Sequence, residues 1–103
     1  MSGALPVLFV SHGAPTLPLE NGHPTHAFLK SLGASLGRPR AILMVSAHWD
    51  TRIPALTAAP RPGTIHDFYG FPEELYAMRY PAPGSAELVE HTTKLLQAAG
   101  FPV

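Results

Sequence analysis

The chain has 103 residues, is 46% hydrophobic and 14% charged, and its seven basic and seven acidic side chains cancel. That balance fits one folded domain with a modest core. It excludes a disordered chain and the basic excess of a nucleic-acid footprint. Cysteine is absent, so disulfides, thiolate metal sites and cysteine nucleophiles are excluded as well. No run reaches the roughly 18 apolar residues of a membrane span. The N-terminus lacks the basic and long apolar regions of a signal peptide. The expectation is a soluble, cytoplasmic protein with no membrane or nucleic-acid partner.

In chain order, residues 6–10 contain the apolar run Val7-Leu-Phe-Val10 and are predicted as a first strand. It ends in Ser11-His12-Gly13. A loop follows to Pro24, rich in Gly, Pro and Asn. Residues 25–36 are predicted as a helix, with Phe28, Leu32 and Leu36 as its apolar stripe. Gly37 and Pro39 then stop it. Ala41-Ile-Leu-Met-Val45 is a second apolar run, predicted as a strand buried on both faces over 41–46. Strand, helix and strand in this order imply a right-handed parallel crossover.

Residues 52–58 are predicted as a weaker strand, made an edge or irregular by Pro54. The long loop 59–72 mixes polar and aromatic residues, and loops of this length are often functional. A short helical turn is expected over 73–78 and a turn over 81–84. Ser85 is placed to cap a helix that runs to about Ala99, with Glu87 favouring its dipole. Gly100 and Pro102 end it. Residues 101–103 read as the opening of a further strand. The predicted fold class is α/β, with a central mixed, partly parallel sheet flanked by helices and truncated after the second major helix. Residues 1–103 would then be the N-terminal part of a single catalytic domain.

The chemistry concentrates in two strand-end units, Ser11-His12-Gly13 and Ser46-Ala-His48-Trp49. Open α/β sheets keep their ligand sites at such ends. Neutral imidazole is a common metal ligand. His12 and His48 are therefore candidate ligands; the alternative is that each bonds nearby backbone where its loop starts. Two imidazoles alone do not close a zinc site, which takes three or four protein ligands. His66 is either an acid/base group, a substrate contact or a partner that orients a ligand, or else an ordinary loop histidine. Asp67 beside it is able to orient an imidazole. His23 and His26 read as capping or solvent-facing residues, and His91 as a surface residue. Ser11 and Ser46 lack the G-x-S-x-G elbow of serine hydrolases and read as turn residues. No Walker or Rossmann phosphate loop is present. Trp49, Phe68, Tyr69 and Phe71 either wall a pocket for a flat ring or pack beneath the long loop.

Six motifs occur in order: Ser11-His-Gly-Ala-Pro15, Arg38-Pro-Arg-Ala-Ile42, Ser46-Ala-His-Trp49, Thr64-Ile-His-Asp-Phe68, Gly70-Phe-Pro72 and Tyr80-Pro-Ala-Pro-Gly84. Together the set resembles the N-terminal part of class III extradiol ring-cleavage dioxygenases, in the 4,5-DOPA dioxygenase-like branch. The resemblance runs through almost the whole chain and covers less than half of a typical member. It implies an α/β fold, a mononuclear non-haem metal (Fe(II), with Zn(II) as the alternative), a small catechol substrate and O2. It implies His12 and His48 as metal ligands and His66, Trp49 and Phe68 as substrate-binding residues. The remaining ligands and the main acid/base histidine are expected beyond Val103. The implied activity is O2-dependent opening of the ring next to the diol. The rival reading is a zinc-binding protein of the same fold without oxygenase activity.

Overall fold

Helix α1 (Pro24–Leu36) forms where its signals are local and mutually consistent. His23 is its N-cap: the ring Nδ1 accepts the Thr25 N–H at 3.1 Å. Pro24 occupies the first helical position, where a missing N–H costs nothing. At the far end the Gly37 N–H donates to the Ala34 carbonyl. The sheltered face carries Thr25, His26, Leu29, Leu32 and Leu36, while Phe28 is exposed. The expected stripe through Phe28 used a strict spacing of four. At 3.6 residues per turn that spacing drifts about 40° per step, so the true face alternates threes and fours.

The computed structural model describes residues 5–103. Beyond α1 it contains a single 3-10 turn at Leu17–Leu19, a short helix α2 (Glu73–Ala77) and a longer helix α3 (Ala86–Ala98). The chain gathers into two compact units. One draws on Met1–Arg40 and Phe68–Met78, the other on Ala41–Asp67 and Arg79–Val103.

In the first unit the 3-10 turn lies on α1, where His26 Nδ1 bonds the Leu17 carbonyl at 2.9 Å. Leu17 and Leu75 are the buried apolar side chains among the described residues, at 7% and 4% exposure. An aromatic cluster adds to this unit. Phe68 meets Phe71 edge-on at 5.4 Å and Tyr76 at 5.1 Å. The Tyr76 hydroxyl donates to the Phe68 carbonyl and accepts the Phe71 N–H, which ties the polar end of the ring to the loop it supports.

In the second unit, Ser85 caps α3 as expected, its Oγ accepting the Leu88 N–H at 3.2 Å. Glu87 sits in the first turn. The sheltered face is Leu88, Val89, Thr92, Thr93 and Leu96, a helical repeat that leaves Leu95 and His91 exposed. The 59–67 loop is tied to the segment before α3 at two points. Gly84 N–H donates to the Pro60 carbonyl and Tyr80 N–H to Thr64 Oγ1, each at 3.0 Å.

The expected α/β architecture is not observed. The described residues hold three α-helices and no strand or sheet, so the predicted strands at 6–10, 41–46, 52–58 and from 101 onward, and the parallel crossover, are corrected. A strand's backbone groups need a neighbouring strand about 4.8 Å away. An apolar run states a preference for burial without supplying that neighbour. The two principal runs fall in different units and stay exposed, Val7 completely and Val45 at 91%. Over 52–58, Pro54 offers no donor, and Thr51 Oγ1 donates to the Ile53 carbonyl at 2.6 Å, occupying an acceptor that a ladder would use.

Candidate functional site

His48 is held from two directions. Its backbone N–H donates to Ser46 Oγ at 3.1 Å, and the Trp49 N–H reaches the Ser46 carbonyl at 3.5 Å, so Ser46 shapes the turn. The His48 ring Nδ1 lies 2.9 Å from Asp67 Oδ2, a contact between residues nineteen apart in sequence. Both side chains are more than half exposed, at 59% and 58%. The turn-forming reading of Ser46 is thus the one that matches the geometry.

His12 belongs to the first unit and shows a related arrangement. Its Nδ1 bonds the Gly13 carbonyl at 3.1 Å. Gly13 has φ of 70°, a backbone state that side chains with a Cβ rarely adopt. Carbonyl oxygens only accept hydrogen bonds, so the proton of this contact is on Nδ1, and in the neutral ring the lone pair is on Nε2. A carboxylate oxygen accepting from Nδ1 assigns the neutral His48 ring the same tautomer. His23 is the opposite case: its Nδ1 accepts the Thr25 N–H, so that nitrogen's lone pair serves α1.

His26 shares the His12 pattern through the Leu17 carbonyl, and both residues line one open cavity of about 610 Å³ with Leu17, Leu29 and Lys30. Sequence reasoning assigned His26 to capping or solvent and did not single out Lys30. The signal for both was available, since residues 26 and 30 stand one helical turn apart on α1.

The other predicted site residues divide between the units. Phe68 sits half-buried in the aromatic cluster of the first. His66, half-buried, and Trp49, exposed, are in the second. Asp67 is adjacent to His66, yet its carboxylate meets His48. Among the described residues, no group of three or more His, Asp or Glu is gathered as a metal-holding cluster.

Relatives place these motifs in context. The chain is 50% identical over 102 residues to the 4,5-DOPA dioxygenase extradiol of Escherichia coli (strain K12), a match covering 99% of this chain and 36% of that protein. It is 41% identical over 95 residues to the 4,5-DOPA dioxygenase extradiol of Beta vulgaris, covering 90% of this chain and 35% of the other. It is 38% identical over 109 residues to dioxygenase tasH of Hapsidospora irregularis, covering 96% and 34%. The chain thus spans little more than a third of the length of these relatives. Residues 6–103 match the family described as the catalytic LigB subunit of aromatic ring-opening dioxygenase, and the chain belongs to that family.

Proposed function

We propose that the protein carrying this chain is an extradiol dioxygenase, with His12 and His48 as two ligands of a mononuclear non-haem metal. The observation that supports this best is the state of the two rings. Both occupy motif positions of the resemblance, and both engage an oxygen through Nδ1. That tautomer carries its donor pair on Nε2, the form in which a metal-binding histidine is held by its outer hydrogen bond. The donor set therefore fits a metal that accepts neutral imidazole. Fe(II) is the ion proposed for ring cleavage, and Zn(II) accepts the same donors. Two donors are one short of the three protein ligands usual in an open catalytic zinc site. A further ligand and the acid/base histidine are assigned to parts of the family domain outside residues 1–103.

When bound, the ferrous ion supplies a positive centre that acidifies the diol and brings it together with O2. The chain's own residues hold and orient. His12 and His48 fix the ion's position, Trp49 and Phe68 offer flat apolar faces to the ring, and His66 offers a polar contact at the loop. The ring bond between one hydroxylated carbon and its unhydroxylated neighbour breaks. Both oxygen atoms of O2 enter the product, one completing a carboxylic acid and the other an aldehyde, so no external reductant is consumed. The substrate class is a catechol-type ring. No helix among the described residues is long and apolar enough to cross a membrane, and the proposed setting is the cytoplasm.

The test is to load the full-length protein with ferrous ion and follow DOPA, protocatechuate and caffeate by absorbance and oxygen uptake. A yellow semialdehyde formed with equimolar oxygen consumption is expected. No cleavage of any of the three contradicts the proposal. Stoichiometric zinc without cleavage would favour a zinc-binding role.

A further inference from the structure

We infer that Asp67 is the positioning residue of His48: its carboxylate accepts a hydrogen bond from the imidazole Nδ1–H and so fixes which nitrogen, and which ring orientation, is offered to the metal. This rests on the reading of His48 as a ligand and goes beyond it, because Asp67 itself is given no role by that reading.

Four observations carry the inference. The Nδ1 to Oδ2 distance is 2.9 Å, within the range of charge-assisted hydrogen bonds. The partners are nineteen residues apart, so the contact is not an accident of local backbone geometry. Asp67 has a nearer imidazole in sequence, His66, yet its carboxylate meets the ring of the proposed ligand. Finally, the segment bearing Asp67 is anchored close by, with Thr64 Oγ1 accepting the Tyr80 N–H at 3.0 Å. His48 is anchored separately at its backbone by Ser46 Oγ. One constraint sets where the residue sits, and the other sets how its ring turns.

The exposure of the pair decides between stability and orientation. Both side chains are more than half exposed, and solvent-exposed ion pairs contribute little to folding. Orientation of a ligand does not depend on burial in the same way. A carboxylate behind a metal-bound histidine fixes the tautomer and raises the basicity of the donor nitrogen, and its loss typically lowers metal affinity about 10- to 100-fold.

The experiment uses the full-length protein and its variants Asp67→Asn, Asp67→Ala, Asp67→Glu and His48→Ala. Affinities for Fe(II) and Zn(II) are measured by chelator competition, the visible spectrum of the Co(II) form is recorded, and the metal-free proteins are melted. Asp67→Asn and Asp67→Ala are expected to lose about 10- to 100-fold in affinity and to shift the Co(II) bands. Their metal-free melting temperatures should match wild type, and Asp67→Glu should recover part of the affinity. Wild-type affinity in Asp67→Asn and Asp67→Ala, with metal binding lost in His48→Ala, overturns the role of Asp67 alone. An affinity loss that tracks a lower metal-free melting temperature makes Asp67 a structural residue and also overturns it. Undiminished binding in His48→Ala overturns the ligand reading itself, and the Asp67 role with it.

Discussion

Ser46 Oγ accepts the backbone N–H of His48 at 3.1 Å, closing the turn that carries the histidine. A serine at this place invites a nucleophile reading, but its oxygen is committed to backbone geometry two residues ahead. Ser and Thr make such turn-closing bonds routinely. Ser46→Ala is therefore expected to weaken metal binding several-fold by loosening the His48 turn, a bond of about 1 kcal/mol. Ser46→Thr should retain wild-type affinity. Chelator competition reads the difference, and a phosphonofluoridate probe should leave Ser46 unlabelled.

Gly84 controls the second unit's loop connection. Its N–H donates to the Pro60 carbonyl, and a Cβ added at residue 84 would run into the Ala59 carbonyl oxygen. The obstacle is backbone, which cannot rotate away as a side chain tip does. Gly84→Ala is expected to destabilise the protein by about 1–3 kcal/mol, the usual cost of overpacking. Urea denaturation checks this. A midpoint equal to wild type would mean that the approach of 84 to 59–60 does not persist in solution.

The two long helices separate stability from metal binding. Ser85 caps α3 through the Leu88 N–H, so Ser85→Ala should cost about 1 kcal/mol and Ser85→Asp much less. His23 caps α1 with its Nδ1 lone pair. His23→Ala should lower the melting temperature while leaving metal stoichiometry unchanged. That makes it the control for any claim that histidine loss as such removes the metal.

These helices were legible in the sequence because their signals are short-range. A capping side chain, a helical repeat and a terminal glycine all lie within a few residues of the structure they specify. A slip, Phe28 in place of Leu29 on the sheltered face of α1, came from treating a 3.6-residue period as four. The predicted strands are not observed, because a strand is a relation between distant segments. Ala41 to Val45 carries the apolar content of a buried strand, yet nothing in those residues states whether a partner lies alongside. The site divides in the same way. His12 and His48 stood out through their own motifs. The Asp67 contact to His48 spans nineteen residues, and adjacency pointed to His66 instead.

Metal removal offers a test independent of any substitution. Dialysis of the full-length protein against a strong chelator should abolish ring opening. Ferrous ion should restore it, and Ca²⁺ should not, since imidazole donors favour borderline transition metals over hard, oxygen-seeking cations. Ring opening that survives chelation would place the chemistry elsewhere.

The most direct test of the account is the metal content of the full-length protein beside His12→Ala and His48→Ala, measured by plasma emission with ring cleavage assayed on the same samples. The account predicts about one ion per chain in the wild type, as for a mononuclear centre, and a near-complete loss of both metal and ring cleavage in each variant. Full metal occupancy in either variant, with His23→Ala behaving identically, would contradict it.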